Sequence, residues 1–463
     1  MFGIRRRPTM RLSAALLVAG LTAGAAVATA GTAAAEDGHN PAGGVTATLD
    51  GLSVYGDAVL EGKKVSAGLF KMQVEGGGTL QSYCIDAHTP TVSEARYQEV
   101  SWDQSSLHDN SDAGRIHWIL KNSYPQVQDL DTLARAAGIQ GEFTEKDAAA
   151  GTQVAIWRYS DHVKAQALDA EAEQLADHLE KAAQDVAEPT ASLSLSTAAV
   201  SGKAGEKLGP VTVSTNAASV SVTVAGEGVK AVDASGNPVT TAANGTELYL
   251  DVPASAAAGT AQVSLEASLD LSVGRAFTGI GVKTQTQILA GSSKSNVKAS
   301  FTATWGEKEH TGPVLAAEAV KNCSKGGLDI KVTNSGDEAG DVTIGGKKHT
   351  VAAGQELTIT HPVKEDTAYD VQVTGPNGLD QTFTGILDCQ TAEESTGGST
   401  GSEQPTPQPS AAGGHDDTTG GAADDNLAAT GGSSATPVIA GIAVALVAAG
   451  GITILFLRKR KTT

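Results

Sequence analysis

The sequence predicts a multidomain chain: an α+β domain followed by two all-β domains of the immunoglobulin-like sandwich kind. Three observations carry this. Residues 45–188 hold three of the four Trp and five of the seven Tyr, enough bulk for a substantial core. From Ala191 onward the pattern is a period-two alternation broken by Gly, Asn and Pro turns. The total of 463 residues allows three or four domains.

Composition narrows the function classes. Aromatics make up 4% of the chain and charged residues 18%, with 54 Gly. This suits thin β-domains and linkers better than one large enzyme core. A net charge of −19 argues against nucleic acid as a partner, because phosphates would be repelled. Three cysteines exclude a disulfide-dense scaffold and a four-thiolate zinc site. There is no metal-ligand spacing, no phosphate-binding glycine loop and no basic–aromatic stripe, so neither a metal nor a cofactor is expected.

The elements follow in chain order. Arg5, Arg6, Arg7 and Arg11 precede an apolar run from Leu12 to Ala28, and Ala33-Ala34-Ala35 comes after it. A basic head, an apolar stretch and a small-residue cleavage site predict a secretory signal peptide over 1–35. Residues 36–43 read as unstructured. Within 45–188, Val45-Thr46-Ala47-Thr48-Leu49 and Phe70-Lys71-Met72-Gln73-Val74 alternate as strands do. Ile116, Ile119 and Leu120 mark one helical face. Thr144-Glu145-Lys146-Asp147 has the form of a capping box and opens a helix through Trp157. Residues 162–186 read as a charged amphipathic helix with Leu168, Leu175 and Leu179 on one stripe.

Pro189 breaks that helix, and 189–311 reads as a β-sandwich domain. Its strands include Ser192–Leu195, Ser219–Val224 and Glu247–Val252. Residues 312–390 form a smaller β-domain, with strands near Leu328–Val332, Val342–Ile344, Leu357–Ile359 and Tyr369–Val373. Cys323 and Cys389 bracket it, which predicts a disulfide between them. Residues 391–426 are Gly, Ser, Thr, Pro, Glu and Asp with almost no bulky apolar content, a flexible linker.

The C-terminus has three parts. Leu427-Ala428-Ala429-Thr430-Gly431 precedes an apolar run over 438–457, long enough to span a bilayer, and Arg458-Lys459-Arg460-Lys461 follows. This end resembles the cell-wall sorting signal of Gram-positive bacteria, with Ala428 where Pro is usual. It is similar to the L-A-x-T-G variant associated with class E sortases. The resemblance implies cleavage between Thr430 and Gly431 and transfer of the Thr carboxyl to peptidoglycan. Sortase and peptidoglycan are then partners. The protein would be held in the membrane before sorting and in the cell wall, at the cell surface, after it. Loss of both ends removes eight basic residues and no acid, so the charge of −19 becomes −27.

Cys84 is left without a cysteine partner. It stands in Gln81-Ser82-Tyr83-Cys84-Ile85-Asp86-Ala87-His88-Thr89-Pro90, and Gly151-Thr152-Gln153-Val154-Ala155-Ile156-Trp157 comes later. Over roughly 45–185 the sequence resembles the thioester (TQXA) domains of Gram-positive surface proteins. Thr152, Gln153, Val154 and Ala155 match the T-Q-x-A signature, and Tyr83, Cys84 and Ile85 match its upstream segment. The resemblance implies an intramolecular thioester between Cys84 and Gln153, formed with loss of ammonia. It also implies an adhesin that captures a surface ligand bearing an amine or hydroxyl.

The chemistry demands the same parts. A thiolate attacks a carboxamide only if the two are held at near-attack distance and donors stabilise the oxyanion. The product is a stored electrophile used once, not a turnover enzyme. Asp86 and His88 stand two and four residues after Cys84 and are candidates for proton transfer, though Asp86–Pro90 also reads as a plain turn. Three other readings of Cys84 exist. It is a protease nucleophile with His88, His117 or His162 as base, an unreactive buried cysteine in a passive wall stalk, or one half of an intermolecular disulfide.

Overall fold

The computed structural model describes residues 43–309 and 311–391. The signal peptide, the linker from residue 392 and the sorting signal with Leu427–Gly431 and its apolar run lie outside the described residues. Among those described, no helix is long and apolar enough to cross a membrane.

The first domain opens with β1 (Thr46–Leu60) and β2 (Lys63–Val74). A two-residue turn joins them, with Glu61 at φ +48° and Gly62 at φ +85°, the pairing that matches hairpin twist. Next come β3 (Thr79–Cys84) and β4 (Arg96–Val100). Helices α1 (Ala113–Asn122), α2 (Leu130–Ala137) and α3 (Glu145–Ser160) follow, then β5 (Ala165–Ala167) and α4 (Ala170–Ala182). β1 pairs with β2, β4 and β5, so the antiparallel sheet closes on itself. Register shifts at Leu49/Gly51 and Leu52/Val54 let the long β1 bend through those pairings.

Sequence and structure differ on where that sheet ends. Two of its strands, Ala276–Gly279 and Gln287–Ser292, come from the stretch read as the second domain. They insert between β4 and β3. Period-two alternation locates strands but not the sheet they join, so residues 189–311 read as one sandwich. Glu99 and Arg275 lock the insertion. The Glu99 carboxylate accepts from Arg275 Nε at 2.9 Å, Ser192 N at 3.1 Å and Val45 N at 3.2 Å, all buried. Arg275 also pairs with Glu188.

Two smaller differences concern helix and terminus. Residues 162–186 are not one helix. β5 comes first, and Asp169 then caps α4 by accepting from Glu171 N and Ala172 N. Leu175 and Leu179 are buried as the stripe requires, but Leu168 lies ahead of the cap and is 53% exposed. Gly43, read as unstructured, bridges Ser194.

The rest of the middle segment is a sandwich. One sheet runs Lys230–Val232, Glu247–Asp251, Lys207–Thr215, Leu193–Leu195. The other runs Thr241–Ala242, Val220–Ala225, Gly259–Leu269, Ser295–Gly306, Ala199–Lys203. Its buried side chains are continuous with those of the first domain, from Val45 to Trp305. The third domain has its own core, from Leu315 to Val373. It stacks Leu315–Asn322, Gly327–Asn334 and Glu356–Pro362 against a sheet of four that ends on Asp380–Leu387. Cys323 and Cys389 are disulfide-bonded, with Cα atoms 5.3 Å apart.

Candidate functional site

Cys84 is the last residue of β3, fully buried and a free thiol. Its strand is pinned by the inserted hairpin: Gln287 lies opposite Cys84, and Ile85 N donates to Thr286 O at 3.0 Å. Gln153 comes from α3. That helix starts where the sequence places it. The Thr144 hydroxyl accepts from Asp147 N, and Asp147 Oδ2 accepts from Thr144 N at 2.8 Å. Ala148 through Trp157 are all buried, so α3 runs through the interior of its domain. Gly151 permits this depth: a Cβ there would stand 2.4 Å from the Ala172 carbonyl oxygen of α4.

The two side chains meet across 69 residues of sequence. Cys84 N donates to Gln153 Oε1 at 2.9 Å, and Gln153 Nε2 donates to Cys84 O at 2.9 Å. The carboxamide is therefore clamped at both ends by the backbone of the very cysteine that would attack it. One of those clamps is an N–H aimed at the oxygen on which negative charge would develop. The surroundings hold the thiol in its protonated form. Burial raises its pKa well above the ordinary range, and the nearby Asp161 and Asp86 carboxyls push the same way. The Asp86 backbone N–H, 3.3 Å from the sulfur, works against this. So does the Trp157 indole N–H, which has no hydrogen-bond partner within bonding geometry among the described residues.

The other residues singled out in the sequence divide. Asp86 is buried beside the sulfur. Tyr83 is buried and donates to Tyr124 O at 2.8 Å, a brace for β3. Thr152 donates to Ala148 O at 2.7 Å, and Ala155 packs in the core. His88 has its closest charged contact elsewhere. Its Nε2 lies 3.9 Å from Glu61 Oε2, toward the β1–β2 turn.

Asp161 was not singled out, yet it stands at the site. It is the C-cap of α3, accepting from Ala87 N at 2.8 Å and Ser160 Oγ at 2.6 Å. Burial pushes its carboxyl up to about 7, with Asp86 and Glu61 adding to the rise and those two hydrogen bonds opposing it. A carboxyl poised near neutral pH beside a buried thiol suits proton transfer. A signal existed: Gln153, Trp157 and Asp161 recur every four residues, one ladder along α3.

Two stretches of the chain match known families. Residues 81–191 match the family model described as the thioester domain. Residues 314–386 match that of the C-terminal domain of bacterial phospholipase C. No curated protein matches the chain. Among solved structures the chain is similar to the Bacillus anthracis TIE protein at 14% identity, over 75% of this chain and 81% of that one, with a TM-score of 0.27. It is also similar to the thioester domain of the Enterococcus faecium TIE86 protein at 15% identity, over 57% of this chain and 97% of that one, with a TM-score of 0.27. The chain thus carries a thioester domain, recognised over residues 81–191, with β-rich domains after it.

Proposed function

We propose that the protein is a covalent adhesin: Cys84 and Gln153 form an internal thioester that captures a nucleophile on a partner surface. The observation that carries this is the reciprocal pairing of the Gln153 carboxamide with the Cys84 backbone inside a sealed core. Cys84 Sγ adds to the Gln153 side-chain carbonyl carbon, and its proton passes to a nearby carboxylate, Asp161 being the one with the larger electrostatic effect on the thiol. The Cys84 N–H holds the oxyanion, the C–N bond breaks, and ammonia leaves with that proton. The burial that raises the thiol pKa also excludes water from the thioester. An amine or hydroxyl that reaches the carbonyl forms an amide or ester and frees Cys84 as a thiol. Each molecule reacts once, so this is not turnover catalysis.

The C-terminal pattern completes the reading. A class E sortase would cut after Thr430 and link the protein to peptidoglycan, with the thioester domain held away from the wall. Intact mass tests the central step. Freshly folded protein should weigh one ammonia less than its sequence, beyond the disulfide hydrogens. Cys84→Ala and Gln153→Ala should each abolish the deficit, and methylamine should add at Gln153 and free one thiol. An equal mass deficit in wild type and Cys84→Ala sinks the thioester and leaves a passive wall protein with a buried cysteine.

A further inference from the structure

The third domain carries a cluster that the thioester chemistry does not use. Glu365 and Asp366 precede the strand Thr367–Thr374, and Asp388 follows the strand Asp380–Leu387. One ligand oxygen from each lies within 4.8 Å of the others. Acidic clusters alone say little, but Asp388 is unusual. It is 1% exposed, and neither of its carboxylate oxygens has a hydrogen-bond partner among the described residues. A buried carboxylate with both oxygens unmet is costly unless something compensates it.

The surroundings narrow what that is. Lys321 is close enough to interact electrostatically with Asp388, but its ammonium donates to Thr278 Oγ1 at 3.3 Å and forms no ion pair with it. Lys283 pairs with Asp366 through Oδ2. Glu365 Oε1 accepts from Cys389 N at 2.6 Å and Gln390 N at 2.9 Å, which holds that carboxylate in place and leaves Oε2 for a ligand. One carboxylate oxygen from each of the three residues therefore lies within 4.8 Å of the other two, with Asp388 contributing a side chain that is otherwise unmet.

We propose that Glu365, Asp366 and Asp388 bind a divalent cation, with Ca2+ as the best fit. The donors are all carboxylate oxygens, which suits hard cations and disfavours zinc or copper. They come from a turn and a strand end rather than a rigid octahedral frame, which favours the tolerant coordination of Ca2+ over that of Mg2+. Sequence spacing could not signal this site, because 22 residues separate Asp366 from Asp388. The cation would tie the turn at Glu365–Asp366 to the chain beside Cys389. Asp366 already pairs with Lys283 of the loop joining the two strands that pin the Cys84 strand, so the cation would brace the third domain against the first.

The test is calorimetric titration of chelator-treated protein with CaCl2, and with MgCl2 for comparison. Wild type should bind one Ca2+ with a Kd on the order of 10⁻³ M or tighter, and Mg2+ more weakly. Its Tm should rise with Ca2+ concentration, as mass action requires. Asp388→Asn and Asp366→Asn should each weaken binding roughly tenfold or more, and Lys321→Met should strengthen it. Asp366 is exposed at a turn, so its variant decides the matter if Asp388→Asn does not fold. Cys84→Ala should bind like wild type, which separates this site from the thioester. The proposal is overturned if wild type shows neither saturable heat nor a Tm shift in 10 mM Ca2+, or if folded Asp366→Asn binds as tightly as wild type.

Discussion

Cys84 and the Cys323–Cys389 pair lie in regions built on opposite plans. Around Cys84 the buried apolar set is continuous from Val45 to Trp305 and draws on two segments far apart in sequence. Around the disulfide the neighbouring core has ten buried members. The large region holds its cysteine as a free thiol under packing and a buried polar network. The small one has little area to bury and adds a covalent closure, as small domains commonly do. The proposed thioester pair suits the first plan, because a deep core excludes water and holds the carboxamide at 2.9 Å on both of its ends.

The comparison breaks most visibly at Glu99. Arg275→Ala leaves that carboxylate buried with its guanidinium gone, and removing one partner of such a pair costs about 3–5 kcal/mol. Urea denaturation should show the loss in the unit that holds Cys84. The variant should also form less thioester by intact mass, because Arg275 anchors the hairpin opposite Cys84. Full stability would mean that the two segments do not depend on each other.

A double Cys323→Ser, Cys389→Ser variant sharpens the other side. It should lose about 2–4 kcal/mol of third-domain stability, the usual worth of closing a long loop. The ammonia deficit should be untouched. If the deficit disappears with the disulfide, the two regions are not independent in the way their separate cores suggest.

The smallest effect is a slope against pH. Asp161 has a folded pKa of about 7, raised from the ordinary 3.8 by burial. The folded state then binds more protons than the unfolded state between those values, so stability falls as pH rises through that window. One proton contributes at most about 1.4 kcal/mol per pH unit. Asp161→Asn should make this slope shallower in melts taken from pH 5 to pH 7, with Asp388, also pushed up to about 7 by burial, supplying what remains. It should also slow thioester formation in refolded protein, with Asp161→Glu retaining part of the rate. An unchanged slope would show that Asp161 titrates as it does in water.

Much of the site was legible before any coordinates. The odd cysteine, the T-Q-x-A segment and the capping box at Thr144 are short patterns that can be read off the chain, and local hydrogen bonding enforces the last of them. For His88, closeness in sequence to Cys84 says nothing about where a turn directs a ring, and this one approaches Glu61. Asp161 was missed because its pKa arises from burial and from Asp86 and Glu61, neither of which is near it in the chain.

The sequence by itself determined what short range controls. The start of α3 follows from the cap at Thr144 and strand periods from the pleat, while the disulfide, 66 residues across, was readable only because two cysteines bracket one small domain. Tertiary structure alone decided that Ala276–Gly279 and Gln287–Ser292 leave the sandwich to complete the sheet that holds Cys84. The physical reason is that alternation sets which face of a strand is buried, whereas the partner of its edge is chosen by hydrogen bonds and ion pairs between residues more than a hundred positions apart, such as Glu99 with Arg275.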